Sequence, residues 1–299
     1  MRSILLADIG GTNIRFALLK NGVIERIMIY PHEKGLTAER AIRLYLRATR
    51  TKPSMFVVGA AGPLKPKGII SLTNRRFVLN LPKLCKTFGF KRALIANDMA
   101  FHALGVADLP DTRKACVMFV GTGLGISFIQ DGIVSPTEIG GECLLHPRKE
   151  EKAIQAESWE DVISGPAFLR IYRSLKGNYK PVMHSREVSY LAHNVRDPYA
   201  LKTYEIIARC LAKLCLHIVK TRKVSVFYMG GQLVEILRLP MGQDVFFDAL
   251  GKLADALGVR IIRPGEQTAM KGLKLIAEDM EHAGTTHRIT AGEFYTVCV

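Results

Sequence analysis

The sequence predicts an α/β fold of two related domains, and three observations carry that prediction. The chain opens with a strand, a glycine turn and a second strand, LLADIGGTNIRFALL, and a matching unit returns 110 residues later, from Gly11 to Gly121, as VMFVGTGLGISFI. Aligned on Gly11-Thr12 and Gly121-Thr122, the two units agree again at KNGVI and QDGIV, where Asn21-Gly22 and Asp131-Gly132 each signal a type I′ hairpin turn. Between and beyond these units, buried apolar segments alternate with stretches of helical spacing. A duplicated supersecondary unit points to one plan used twice, and 299 residues suit two domains.

Along the chain, each unit reads as strand, glycine turn, strand, tight turn, strand. After the first, LTAERAIRLYLRATR has helical periodicity, SMFVVGAAGP reads as a buried strand ending in a small-residue turn, and RALIANDMA as a strand ending in two polar residues. The second half is more helical, with helices expected over SWEDVISGPAFLRIYRSL, around AHNVRDPYALKTYEIIARCLAKLCLHIVK, and over DVFFDALGKLADALG. Between the last two, VSVFYMGGQLVEIL reads as a strand whose Gly-Gly turn opens a helix, a bed for an adenosine at Gly230 and Gly231.

The two glycine turns suit phosphate. Glycine lets backbone N–H groups approach an anion with no Cβ in the way, and successive amides form an anion-binding concavity. The first such cradle is predicted from Ala7, Asp8, Ile9, Gly10, Gly11, Thr12 and Asn13, the second from Gly121, Thr122, Gly123 and Gly125. Thr12, Asn13 and Thr122 add short donors. Asp8 cannot itself bind phosphate, but a carboxylate there can hold a hydrated Mg²⁺ that the phosphates share. Arg15 is placed to pair with Asp8 or with an anion. Two other nucleotide motifs are excluded: GxxxxGK[ST] is absent, and after GTGLG the chain continues as strand and hairpin where a dinucleotide-binding unit needs a helix.

Composition sets outer limits. With 48% apolar residues the chain can bury a large core, yet no run is long and apolar enough to span a bilayer, so no membrane partner is expected. The first strand begins after two residues, which predicts neither a signal peptide nor an N-terminal DNA-binding module. Cys85, Cys116, Cys143, Cys210, Cys215 and Cys298 show no CxxC pairing, the pattern of reduced core thiols in a cytoplasmic protein, and no zinc constellation is visible. The net charge of +15 is spread along the whole chain without interleaved aromatic residues, which predicts a generally basic surface that attracts anionic nucleotide and no nucleic-acid partner.

DIGGTN with Arg15 two residues on, LTN at 72–74, ND at 97–98, GTGLG at 121–125, EIGG at 138–141, SGP at 164–166 and MGG at 229–231 occur in the order seen in bacterial glucokinases. The chain resembles these ATP-dependent enzymes of the actin-like, hexokinase-like superfamily from residue 4 to residue 275. The resemblance implies two actin-like (ribonuclease H-like) α/β domains closing an interdomain cleft on sugar and MgATP. In that picture a small domain at 1–110 is joined by the C-terminal 283–299, and a large domain spans 111–282. It further implies ATP-dependent phosphorylation of glucose to glucose 6-phosphate, the first step of glycolysis, and is compatible with a homodimer.

By the same resemblance Asp98 is the general base on the sugar 6-hydroxyl, and Asn74, Asn97, Glu138 and Glu160 bind sugar hydroxyls. Physical logic agrees for Asp98: a carboxylate at the end of a buried strand, beside an amide, is fixed in direction and can accept a hydroxyl proton. Against the helix-capping alternative for Asp98, the accompanying motifs favour the base. One departure stands out. The family pattern is Glu-x-Gly-His, and Gly141 occupies the His position. A register set on the Gly pair instead places Ile139 at the carboxylate and Glu142 at the His, with His146 a few residues on. This leaves open a kinase for another hexose or amino sugar, or a sugar-sensing regulator without turnover. CLLHPRKEE lacks the cysteine-rich zinc motif of the related repressor and kinase family.

Overall fold

Both hairpins form where their turn residues require them. In the computed structural model, which describes residues 3–72, 76–107, 109, 113–177, 184–231, 234, 252, 254–256, 258–265, 267–283 and 286–298, β1 (Ile4–Ile9) pairs antiparallel with β2 (Asn13–Lys20), and β2 with β3 (Val23–Pro31). Asn21 and Gly22 have φ of 51° and 73°. Asp131 and Gly132 repeat this at 50° and 82° between β10 (Leu124–Gln130) and β11 (Ile133–Thr137). Two successive left-handed residues make the type I′ turn, whose twist matches the flanking strands.

The chain groups into two compact units: Met1–Arg113 with Ser127–Pro136 and Gly265–Val299, and Lys114–Ile126 with Thr137–Pro264. A six-stranded sheet runs in the order β14-β8-β4-β1-β2-β3. In it β1 lies parallel to β4 (Met55–Ala60), β4 parallel to β8 (Arg92–Asn97), and β14 (Phe294–Cys298) antiparallel to β8. A five-stranded sheet runs β11-β10-β9-β12-β13, with β12 (Val226–Gly230) parallel to both β9 (Lys114–Val120) and β13 (Arg260–Ile262). Counted in chain order, both contain the sequence third, second, first, fourth, fifth strand. The duplicated plan therefore extends from the turn motifs to strand order. A small sheet of β5 (Leu64–Lys65), β6 (Ile69–Ser71) and β7 (Val78–Asn80) adds to the first unit.

Every residue of β1 and β4 is buried, as expected of strands covered on both faces. On one face Leu5, Ala7 and Ile9 pack with Ala41, Ile42 and Tyr45 of α1 (Ala38–Thr49) and with Leu81 and Leu84 of α2 (Leu81–Phe88). Full burial of each large aliphatic side chain contributes about 1.5–3 kcal/mol. Thr37 caps α1 by accepting the Arg40 N–H at 3.2 Å, and Asn80 caps α2 by accepting that of Lys83 at 3.0 Å. Strand alternation turns Asp8 to the other face, where α3 (Asp98–Leu104) and α8 (Thr268–Ala283) pack. Those helices meet backbone to backbone. A Cβ on Gly105 would lie 2.0 Å from the Thr268 carbonyl oxygen, and one on Gly272 2.0 Å from that of Phe101. This packing is why 265–282 groups with the first unit, whereas the sequence reading assigned it to the larger domain.

In the second unit α4 (Lys149–Ala153), α5 (Gly165–Lys176), α6 (Ser185–Tyr190), a π-helical turn (Leu191–Val195) and α7 (Pro198–Arg222) follow the meander. The helix expected from residue 158 starts only at Gly165, because the Ser164 side chain accepts the Ala167 N–H at 3.3 Å and residues 158–164 are occupied in turns. The helix expected over 244–258 lies mostly outside the described residues. Cys85, Cys116, Cys210 and Cys215 are free and buried, and desolvation pushes the thiols up, to about 11 for Cys85 and about 12 for Cys210 and Cys215. Cys143 and Cys298 are free but exposed, so the core-thiol reading fails for those two. No described helix is long and apolar enough to cross a membrane.

Candidate active site

In the first unit, Asp8 is the penultimate residue of a fully buried strand and is itself 5% exposed. Its Oδ2 accepts a hydrogen bond from Arg15 Nη1 at 3.0 Å across the β1–β2 pair, so of the two partners open to Arg15 the structure shows the carboxylate. The turn after Ile9 closes through the Gly10 N–H to the Asn13 carbonyl, 3.0 Å. His32, which sequence reasoning missed, braces it. Its backbone N–H donates to the Thr12 carbonyl at 2.9 Å, its Nδ1 lies 3.2 Å from the Gly10 carbonyl, and Phe77 packs edge-on against the ring. A carbonyl only accepts, so Nδ1 carries the proton. No local motif around His32 announces this role.

At Gly10 the nearest protein atom to an added Cβ is 3.5 Å away, and at Gly121 none lies within 4 Å; neither has a left-handed φ. Packing does not require glycine at either turn. Other glycines are required by the fold itself. A Cβ on Gly59 would lie 2.6 Å from Phe101, and its absence lets α3 sit close to β4. At Gly231 φ is +99° and a Cβ would lie 2.4 Å from the Val120 carbonyl oxygen, so Gly231→Ala is expected to cost about 1–3 kcal/mol in urea unfolding. A change below 0.5 kcal/mol would contradict this close packing.

Asn97 and Asp98 stand at the β8–α3 junction. Asn97 caps the helix, its Oδ1 accepting the Met99 N–H at 2.9 Å while its Nδ2 donates to the Gly62 carbonyl at 3.0 Å. Asp98 is the first helical residue and half-buried. The cap is thus its neighbour, and the carboxylate has a rigid mount. One turn on, His102 places Nδ1 2.7 Å from Thr268 Oγ1. Desolvation holds its imidazole below the ordinary histidine range; the Asp8 carboxylate opposes that shift and the Arg15 guanidinium adds to it. His102 shares a helical face with Asp98 by its i+4 spacing, a signal that could have singled it out. Asn74 lies outside the described residues.

In the second unit the glycine turn, the segment after β11 and the approach to α5 converge. The Gly121 N–H donates to the Gly123 carbonyl at 2.9 Å, and Gly165 N–H to the Gly121 carbonyl at 2.8 Å. Glu160, half-buried, accepts the Leu124 N–H on Oε2 at 3.0 Å, and a Cβ on Gly123 would lie 2.8 Å from that oxygen. Its own N–H donates to the Gly140 carbonyl at 2.8 Å, which ties it to the short 3₁₀ turn Ile139–Gly141. Among the described residues Oε1 accepts no hydrogen bond. Glu138 is exposed ahead of that turn, whereas Ile139 is 5% exposed in the core. An added Cβ on Gly141 meets nothing within 4 Å. Gly230 ends β12, where a Cβ would lie 2.9 Å from the Phe119 ring and 3.0 Å from Pro264.

The glucokinase family model matches residues 5–253. Glucokinase from Sinorhizobium fredii is 27% identical over 274 residues, covering 81% of this chain and 80% of that protein. Among solved structures, glucokinase from an Antarctic psychrotroph aligns over 93% of this chain and 99% of its own at 21% identity and a TM-score of 0.69. A ROK family glucokinase from Streptomyces griseus, in complex with glucose and AMPPNP, covers the same shares at 17% identity and a TM-score of 0.69. These structures share the actin-like ATPase fold of sugar kinases. With the family model spanning most of its length and two duplicated meanders presenting glycine turns, the chain belongs to the glucokinase family, enzymes that use ATP to phosphorylate a hexose.

Proposed function

We propose that the enzyme transfers the γ-phosphoryl group of ATP to the 6-hydroxyl of glucose, in the cytoplasm, as the first step of glycolysis. The observation that carries this reading is the mounting of Asp98: first residue of α3, beside its capping Asn97, at the end of a buried parallel strand. A carboxylate fixed there accepts the hydroxyl proton on one oxygen as the sugar oxygen forms its bond to phosphorus and the bond to ADP breaks. Asn97, Glu138 and Glu160 serve as partners for sugar hydroxyls, with Asn74 a further candidate from the motif alone. Amides donate and accept, and carboxylates accept two hydroxyls each.

Phosphate oxygens are assigned to the turns at 10–13 and 121–125. Glycines that packing does not require, at Gly10 and Gly121, are explained if an anion fills the space a Cβ would take. The residues also fit Mg²⁺. No group of three metal-ligating side chains occurs among the described residues, and Mg²⁺ typically takes one or two carboxylates with waters and substrate phosphates. Asp8 would hold it through water, and the ion would neutralise charge on the phosphates. Gly230 and Gly231 are assigned to the adenosine.

The test is ATP-dependent formation of sugar 6-phosphate from glucose and a panel of other hexoses and amino sugars. Product from glucose supports the reading; product from another sugar alone moves the specificity and keeps the chemistry; no product from any sugar sinks it. A second sugar is a live reading because Gly141 leaves open space. Gly141→His should therefore fold with an unchanged Tm and lower KM for the accepted hexose by about 2- to 10-fold, the worth of one hydrogen bond. An unchanged KM for every sugar would remove position 141 from the sugar site.

A further inference from the structure

One helix and its neighbour concentrate basic side chains on a face of the first unit. Arg40, Arg43, Arg47 and Arg50 recur at intervals of three and four residues and are all exposed on α1 and its C-terminal cap. Over ten residues of helix they form a stripe about 15 Å long. Beside them lies α2, because Arg43 sits 5.6 Å over the Phe88 ring and Lys83 Nζ lies 2.7 Å from Glu39 Oε1. Lys86 of α2 is exposed as well. Glu39 is the one acidic residue within 37–54, and 81–92 contains none. Among the described residues no carboxylate pairs with any of the four arginines.

We propose that this α1–α2 face binds the phosphate backbone of duplex nucleic acid without sequence preference. Arginine forks match phosphate oxygens bidentately, and a linear stripe suits a regularly charged backbone. A membrane fits less well: the apolar side of α1, with Ala41, Ile42 and Tyr45 at 0% exposure, is spent in the core, which leaves Leu44 alone to insert. Single strands fit less well too, since their binding uses exposed aromatic platforms. Tyr45 is buried, and Phe88 is half-buried beneath Arg43. This surface is independent of the sugar-kinase reading, since none of its residues belongs to the candidate site.

The test is fluorescence anisotropy of the full chain with two short labelled DNA duplexes of unrelated sequence, over a salt series. Equal binding to both is expected, with affinity falling about 100-fold between 50 and 200 mM salt, as four phosphate contacts predict. The variant R40Q/R43Q/R47Q/R50Q should lose at least about 10-fold in affinity and flatten the salt dependence, with kinase activity unchanged. Glutamine keeps helix propensity; should the fourfold variant melt early, R43Q/R47Q carries the same comparison at half the charge. K220Q/K223Q, which removes charge from the end of α7, should bind as the parent does. The proposal is overturned by absence of duplex binding at 50 mM salt, by an equal loss in K220Q/K223Q, or by tighter capture of phosphatidylserine vesicles or inorganic polyphosphate than of duplex.

Discussion

Asp98→Asn is expected to lower kcat for hexose phosphorylation by about 10²- to 10⁴-fold, the usual contribution of a positioned general base. The substitution is nearly isosteric and leaves two features of the junction in place: Asn97, not Asp98, caps α3, and the missing Cβ of Gly59 sets the close approach of helix and strand. The variant should therefore melt with the parent and bind sugar with a similar KM, separating chemistry from folding. An amide can still accept a hydrogen bond from the hydroxyl but cannot take its proton at neutral pH. Steady-state kinetics with a coupled assay measures the effect. Retention of more than a tenth of parental kcat would place the base elsewhere.

A comparable loss, in stability, is expected at Glu151. This carboxylate is fully buried in the second unit, where Oε1 accepts from the Arg209 guanidinium and from Cys210 Sγ at 3.4 Å, and Oε2 accepts from the Arg148 backbone N–H. It pins the excursion 145–156, whose ends are joined by the Leu144 N–H donating to the Glu157 carbonyl at 2.7 Å. Removing one partner of a buried pair costs about 3–5 kcal/mol, because the other charge stays buried. Glu151→Ala should show that loss in urea unfolding at pH 7. Burial alone would push the carboxyl up, but the hydrogen bonds from Arg209 and Arg148 hold it below the ordinary glutamate value. Its contribution is then complete above the unfolded value and disappears as pH falls through the lower folded value. The gap between parent and variant should narrow in acid; a gap below 1 kcal/mol at pH 7, or one that widens in acid, would refute the buried pair.

What the sequence discloses is what is encoded locally. Asn21-Gly22 and Asp131-Gly132 dictate their turns through backbone conformations that few other pairs accept, so the repeated meander is legible in the sequence. The Asn-Asp pair at 97–98 was likewise legible as a strand end. Residues 158–164 misled because Trp159 and Val162 have the spacing of a helix face, yet their burial comes from turns whose backbone pairs with 140–144. Tertiary pairing of that kind leaves no mark in periodicity. The same holds for Glu151 and Arg209, 58 residues apart, and for His32 beneath the first glycine turn. Helix α8 belongs to the first unit through Gly105 and Gly272, whose role exists only once two backbones touch.

The first unit's sheet ends in β14, and its second face is covered by α8, both of which follow the whole second unit in the chain. On a ribosome the residues from 114 to 264 emerge and can collapse while β8 still waits for its edge partner and β1 for its cover. The nascent first unit must therefore persist half-built, with an open strand edge and an apolar face that α3 covers only in part, for the time needed to synthesise about half the protein. Stalling translation just before Thr268 should leave that unit sensitive to protease and bound to chaperones, and release through Cys298 should end both conditions.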